Sequence, residues 1–444
     1  MRGNIAYVAA MSIPELLRSY EASTRTLENG LTVVVREDHS ADVAAIVTYV
    51  TAGYFDESDQ WVGISHVLEH MYFKGTPSRG PGVIAQQTKA AGGYLNASTI
   101  YDHTSYYAVV PASTFEDGLD IQADALLNSL IDEQELANEL EVIVQEAKRK
   151  LDNPAAVARE SVYELLFDHH RMRRWRIGTE AGLRKLTRQD VYDFFTGWYR
   201  GSSIVLVVAG AVETEAAFQA VRRRYHAVRP GAVQRDRGPL EPEHADFRWR
   251  ELTGDVQQTR LEIGWRTQPT MHPDTPALDL LAVILGQGRA ARLYRAVRDT
   301  GLASGVSAHN YTPTEVGVFG VSAEVQPTDT RAALRALFDT LSTAHRGFTA
   351  EEVLRAQSIV EARMLRSLET MEGQANFLAE WQSAGDWRFG FDYLDQLLSL
   401  RPGQIEQVAR QYLTPERAAV VAYRPQSAPA IAASAEEVQR WLAA

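Results

Sequence analysis

The chain of 444 residues contains no cysteine. That absence excludes disulfides, thiolate metal sites, iron–sulfur clusters and cysteine nucleophiles, and leaves His, Asp and Glu to hold any metal. No apolar run approaches the roughly 18 residues of a membrane-spanning helix, so no membrane span is expected. Residues 1–11 carry one Arg and a short apolar stretch, too short for a secretion signal. A soluble protein is expected, in a bacterial-type periplasm if a signal has been removed and otherwise in the cytoplasm. Positive charge is also scarce: 45 Lys+Arg stand against 57 Asp+Glu, a formal net charge of −12. Such a surface repels phosphate backbones, so no nucleic-acid partner is expected. With 45% hydrophobic and 23% charged residues the chain is neither disordered nor fibrous. Its length predicts two to four domains of about 100–200 residues each.

Asn29-Gly30 lies between Leu27 and the β-branched run beginning at Leu31, and predicts a hairpin with a type I′ turn. Strands are expected over 43–50, 94–99, 104–110 and 204–209, and a helix over 63–73. Leu119, Ala123, Leu126 and Leu130 recur at helical spacing, as do Leu136, Leu140, Ile143 and Ala147. The Pro-containing stretch from Arg229 to His244 reads as a linker. Strands over 259–265 and 317–323 and an apolar helix over 277–285 follow. Leu186-Thr187-Arg188-Gln189, Tyr199 and the strand over 204–209 have a loose echo in Leu400-Arg401-Pro402-Gly403, Tyr412 and Ala418 to Tyr423. We therefore read one unit of about 200 residues used twice, with domains at 1–235 and 251–444 joined through 236–250.

The chemistry concentrates in Gly63-Ile64-Ser65-His66-Val67-Leu68-Glu69-His70-Met71-Tyr72-Phe73-Lys74-Gly75-Thr76. His66 and His70, four apart on a helix, lie one turn apart on one face. Two imidazoles so placed can grip one Zn²⁺, with Glu69 between them to take a proton from water. H-x-x-E-H is a zinc-hydrolase pattern. A surface helix bearing two His and a Glu is the bland alternative. The apolar Val67, Leu68, Met71 and Phe73 weigh against it, because a polar stripe is costly to bury without purpose. With no cysteine, a carboxylate is the best candidate for the third ligand, and Glu135, Glu139, Glu141 and Glu146 all sit on one predicted helix. Glu139 and Glu146 are seven apart and nearly share a face. Spacing alone does not choose between one carboxylate on the metal with the other supporting it from behind and a solvated acidic face.

The run GISHVLEHMYFKGT resembles the zinc-binding helix of the pitrilysin-type, or M16, metallopeptidases. The resemblance implies a third ligand 76 residues beyond His70, which is Glu146 in ELEVIVQEAKRKLDNP, and a supporting catalytic role for Glu139. It implies one Zn²⁺ per chain on His66, His70 and Glu146, with Glu69 as the general base. GGYLNASTIYDHTSYYAVVP resembles the family's substrate-side strands, with Asn96 and Ala97 as substrate-binding residues. The implied fold is α+β: two homologous domains, each a largely antiparallel sheet packed with helices, forming half of a clam-shell chamber. The implied activity is that of a zinc metalloendopeptidase subunit.

The second half departs from the family pattern. Arg298 stands where a substrate-contacting Arg is expected, but Ser304 occupies the place of its companion Tyr, and Tyr311 lies further on. The resemblance then implies the zinc-bearing member of a pair: a heterodimer with a homologous partner subunit, or a homodimer. A non-catalytic assembly or docking subunit is the alternative. His169-His170 with Arg171, Arg173, Arg174 and Arg176 reads as a solvated basic turn, and Gly286-Gln287-Gly288 as a helix–loop junction.

Overall fold

Valine, isoleucine and threonine crowd the segments 32–50 and 204–210, and these become the centre of a six-stranded sheet. The computed structural model describes residues 20–236, 238–243 and 246–443, so the readings on residues 1–11 and on His244 lie outside the described residues. The strands are β1 (Ser23–Thr26), β2 (Thr32–Glu37), β3 (Val43–Val50), β4 (Tyr94–Thr99), β5 (Thr104–Pro111) and β6 (Ile204–Gly210), in the spatial order β1-β2-β6-β3-β5-β4. A second sheet holds β7 (Arg248–Gly254), β8 (Thr259–Thr267), β9 (Ala303–Tyr311), β10 (Gly317–Val325) and β11 (Ala419–Pro425), in the order β7-β11-β8-β10-β9. Without β1 the two sheets follow the same path: first strand, last, second, fourth, third. In each, the first strand pairs in parallel with the last and every other pair is antiparallel. The loose echo in the sequence is thus a repeated topology. The fold is α+β with two antiparallel-dominated sheets, as expected.

Both faces of the first sheet's centre are covered, which explains why its strands are apolar at nearly every position. Ala44, Ile46 and Val50 of β3 and Leu206 and Val208 of β6 enter the core beneath the first half's own helices. Ala45, Val47, Val205 and Val207 point the other way. They meet Met371, Ala375 and Leu378 of the Met371–Ser383 helix, which belongs to the second half of the chain. The exchange is reciprocal. Ala158, Val162 and Leu166 of the Pro154–Leu166 helix, from the first half, pack on Val318, Ala419 and Val421 of the second sheet. Each half thus lends one helix to the other's sheet.

Three local readings are corrected. The turn after β1 is not type I′: of Asn29 and Gly30 only Gly30 has positive φ (91°), while Asn29 Oδ1 accepts a hydrogen bond from Leu31 N at 3.1 Å. Leu130 is not in the helical stripe, because the Phe115–Asn128 helix has ended and Ile131 takes φ 45°. The basic stretch is not a solvated turn. His170 is buried against Glu315 at 3.2 Å, and Arg171 donates to Phe55 O at 2.6 Å, because three successive backbone N–H groups, from Asp168 to His170, bind Glu241 and fold the segment inward. The Gly286-Gln287-Gly288 reading stands: the Thr275–Gly286 helix ends there. Among the described residues no helix is long and apolar enough to cross a membrane.

Candidate metal centre

The Ile64–Met71 helix is held from behind and from its start. Ile64, Val67, Leu68 and Met71 are buried in the first core, which turns His66, Glu69 and His70 to the opposite face. Gly63 begins the helix at φ 97°, and a Cβ there would lie 2.7 Å from Ile177 O, so glycine is required. The free N–H groups of the first turn find a buried carboxylate: Glu57, 1% exposed, accepts from Gly63 N and Ser65 N, each at 2.9 Å. Burial pushes the Glu57 carboxyl up to about 7 in spite of those two donors.

His66 Nε2 and His70 Nε2 face each other at 3.2 Å, and each stands 3.9 Å from Glu146 Oε2. Glu146 is supplied by the Glu133–Leu151 helix, whose Asp132 caps it by accepting from Gln134 N and Glu135 N. Among the described residues these three form the one group of His, Asp and Glu side chains whose ligand atoms all lie within 4.8 Å of one another. Zinc bonds of 2.0–2.1 Å arranged tetrahedrally span roughly 3.3 Å between ligands, so the donor set fits a single Zn²⁺.

Glu139 sits behind His70, not beside the ligands. Its Oε1 is 2.8 Å from His70 Nδ1, and its other oxygen pairs with Lys74 Nζ. Burial would raise the Glu139 carboxyl, but the bonds from Lys74 and His70 prevail and hold it below the usual range. An ionised Glu139 fixes His70 as an Nδ1–H donor, which leaves Nε2 with its lone pair toward the site. Burial, then the neighbouring His70 and Lys150, push the His66 imidazole down to about 3, which favours the neutral ring. Glu69 Oε2 accepts from Thr99 Oγ1 at 2.6 Å, and burial raises its carboxyl. A carboxyl raised in this way suits a group that must both take and return a proton.

Asn96 and Ala97 lie on β4, the outermost strand of the first sheet, whose far edge has no partner strand among the described residues. Asn96 Oδ1 accepts from Ala97 N at 2.9 Å. Thr99 and Ala97 share one face of β4 at period two, and Thr99 touches Glu69, so this strand borders the site. In the second half Arg298 is exposed on the short Tyr294–Arg298 helix. Ser304 Oγ lies 3.2 Å from both Gln258 Oε1 and Glu324 O at the start of β9. Tyr311 closes β9 with its ring 6.0 Å from Tyr101, roughly 23 Å along the strand from Ser304.

Four contributors escaped the sequence reading: Glu57, Lys74, Thr99 and Lys150. Lys74 stood inside the motif and Lys150 one helical turn past Glu146, so both had a signal in spacing. Glu57 and Thr99 meet the motif only through the fold.

The likeness to known proteins agrees with this geometry. Residues 32–180 match the family profile described as Insulinase (Peptidase family M16), and residues 185–360 the one described as Peptidase M16 inactive domain. The chain belongs to the M16 peptidase family. Among its relatives is an uncharacterized zinc protease of Rickettsia felis, 29% identical over 345 residues that cover 77% of this chain and 83% of that one. A probable mitochondrial-processing peptidase subunit beta of Arabidopsis thaliana is 28% identical over 320 residues, 69% of this chain and 60% of that one. The fold matches the crystal structure of a protease from Helicobacter pylori with a TM-score of 0.85 at 24% identity, over 91% of this chain and 99% of that one.

Proposed function

We propose that the chain is a zinc metalloendopeptidase subunit with domains at 1–235 and 251–444 joined through 236–250. The observation that carries this reading is the convergence of His66, His70 and Glu146 on one point, with Glu69 beside them. Zinc, when bound by these three residues, supplies a Lewis acid that polarises a carbonyl and activates water near neutral pH. Glu69 takes the proton from the attacking water and returns it to the leaving amine. Thr99 holds one Glu69 oxygen, so the other is left to face the reacting atoms. Glu139, locked by Lys74, keeps the His70 ring in register. The substrate lies extended against the open edge of β4, next to Asn96 and Ala97, where main-chain hydrogen bonds hold it whatever its side chains.

Ser304 favours a second element of the proposal. The family resemblance expects a Tyr at this position to meet the substrate carbonyl, and Ser304 offers only a short hydroxyl already turned to Gln258 and Glu324. A homologous partner subunit then supplies that donor across a shared chamber, and the relative bearing a processing-peptidase beta-subunit name supports this assembly. Zinc analysis of the purified chain, with a peptide assay of the chain alone and with a candidate partner, tests both parts. Stoichiometric zinc with hydrolysis that rises sharply on adding the partner is expected. Zinc without hydrolysis in either case favours a docking subunit. Full activity of the isolated chain removes the heterodimer.

A further inference from the structure

Two buried carboxylates flank the metal centre, and they are neutralised unequally. Glu139 faces one lysine, Lys74. Glu160, 3% exposed on the Pro154–Leu166 helix, faces two cations. Lys150 Nζ donates to Glu160 Oε1 at 2.8 Å, and Arg176 grips the same oxygen with Nε at 3.0 Å and Nη2 at 2.7 Å. Within this group of three one positive charge is left over, with Glu146 the next carboxylate along the helix from Lys150. The donors are not exhausted either. Arg176 Nη1 has no partner among the described residues, and Lys150 spends one of its three protons on Glu160. Glu160 Oε2 is buried with no hydrogen-bond partner, so the guanidinium is not engaged in a two-oxygen fork.

The position of this cluster matters as much as its charge. Lys150 lies four residues beyond Glu146 on one helix, on the same face and roughly 6 Å further along it. Arg176 rests over Tyr101, 5.4 Å from the ring centre, and Tyr101 follows two residues after Thr99, which holds Glu69. Lys150 is supported by the Trp175 ring at 5.1 Å. Both cationic side chains keep contact with solvent, 22% and 28% exposed, while the carboxylate that anchors them does not. Aromatic rings and a buried carboxylate thus hold two cations in place with hydrogen-bond donors to spare, next to the metal ligands and the general base.

We propose that Lys150 and Arg176 form an anion subsite that takes a carboxylate of the bound peptide close to the scissile bond. The substrate class is then a peptide with Asp or Glu near the cleaved bond, or one whose free C-terminal carboxylate falls there. This rests on the peptidase reading above and adds its specificity. The net charge of −12 slows the approach of any acidic peptide. Affinities are therefore compared at about 0.15 M ionic strength, where that long-range repulsion is screened beyond about 8 Å.

The test uses the zinc-loaded Glu69→Gln chain, which binds without cutting, and fluorescent peptides with blocked termini that differ at one central residue: Glu, Gln or Lys. A fourth peptide carries Gln with a free C-terminal carboxylate. Charge-assisted hydrogen bonds predict that Glu binds roughly tenfold or more tighter than Gln, and Lys weaker than both. The fourth peptide separates the two sources of the carboxylate. Lys150→Gln and Arg176→Gln, each compared at full zinc loading, should bring the Glu/Gln ratio toward one, and Lys150→Arg should keep it. A folded Lys150→Arg chain without preference, equal binding of the Glu and Gln peptides, or a preference that survives both Gln variants overturns the subsite and leaves the peptidase reading intact. No binding of any peptide to the zinc-loaded chain, either alone or with the candidate partner, overturns both.

Discussion

Replacing Glu57 by Ala should destabilise the protein much more at pH 5 than at pH 8. The carboxylate lies buried at the start of the motif helix and satisfies two backbone N–H groups that are themselves buried. Losing a partner for a buried donor costs about 1–3 kcal/mol, so two donors cost about 2–6 kcal/mol. Ionisation works in the opposite direction. The group titrates near 7 in the fold against an ordinary 4.5, so the native state holds its proton more tightly. Glu57's contribution is therefore full below about pH 4.5 and declines as pH rises through about 7, where the buried group must carry a charge. A shift of this size amounts to about 3 kcal/mol, roughly three quarters of it lost between pH 5 and 8. The variant lacks the titration, so the stability gap between wild type and Glu57→Ala should shrink by roughly 2–3 kcal/mol over that interval. Urea unfolding at both pH values reads the gap directly, and the same samples should show weaker zinc retention because the helix start is loosened. A gap independent of pH, or a more stable variant at pH 5, would refute the reasoning.

Three further outcomes follow from the same geometry. Glu69→Gln should retain zinc while peptide hydrolysis falls by about 10²–10⁴, the size of a lost general base; wild-type turnover would exclude it from that role. Glu139→Gln should weaken zinc binding about 10–100-fold in a chelator competition with little change in thermal stability, because it frees the His70 ring without opening the core. Leu378→Ala, on the borrowed Met371–Ser383 helix, should cost about 2–5 kcal/mol in equilibrium unfolding although it lies far from the metal ligands in sequence.

Much of the site was legible because its chemistry is local. His66, Glu69 and His70 share one helical face within five residues, and Glu139 and Glu146 share another. What spacing left open was the division of labour between the two glutamates. The structure puts Glu146 opposite the facing Nε2 atoms of both imidazoles and Glu139 behind His70, since only the packing of one helix against the other sets which turn faces which ring. Glu57 and Thr99 were invisible for the same reason: each acts across a loop or strand that pattern alone does not fold back. The strands of the first sheet were readable from unbroken β-branched runs, yet such runs say that both faces are covered without saying by what. The basic stretch at 169–176 misled because charge usually means solvent, whereas here the covered carboxylates of Glu160 and Glu315 draw Arg176 and His170 inward.

The reciprocal loan of helices limits how this molecule can move. A hinge between the halves would have to lift Met371–Ser383 off one sheet or Pro154–Leu166 off the other, baring Leu378 or Val162 to water with each excursion. The halves behave instead as two clasped hands, and a backbone cut in the connecting stretch would leave them joined. Separating the halves would therefore expose both borrowed helices at once, and the two sheets keep a fixed relative placement as a single body.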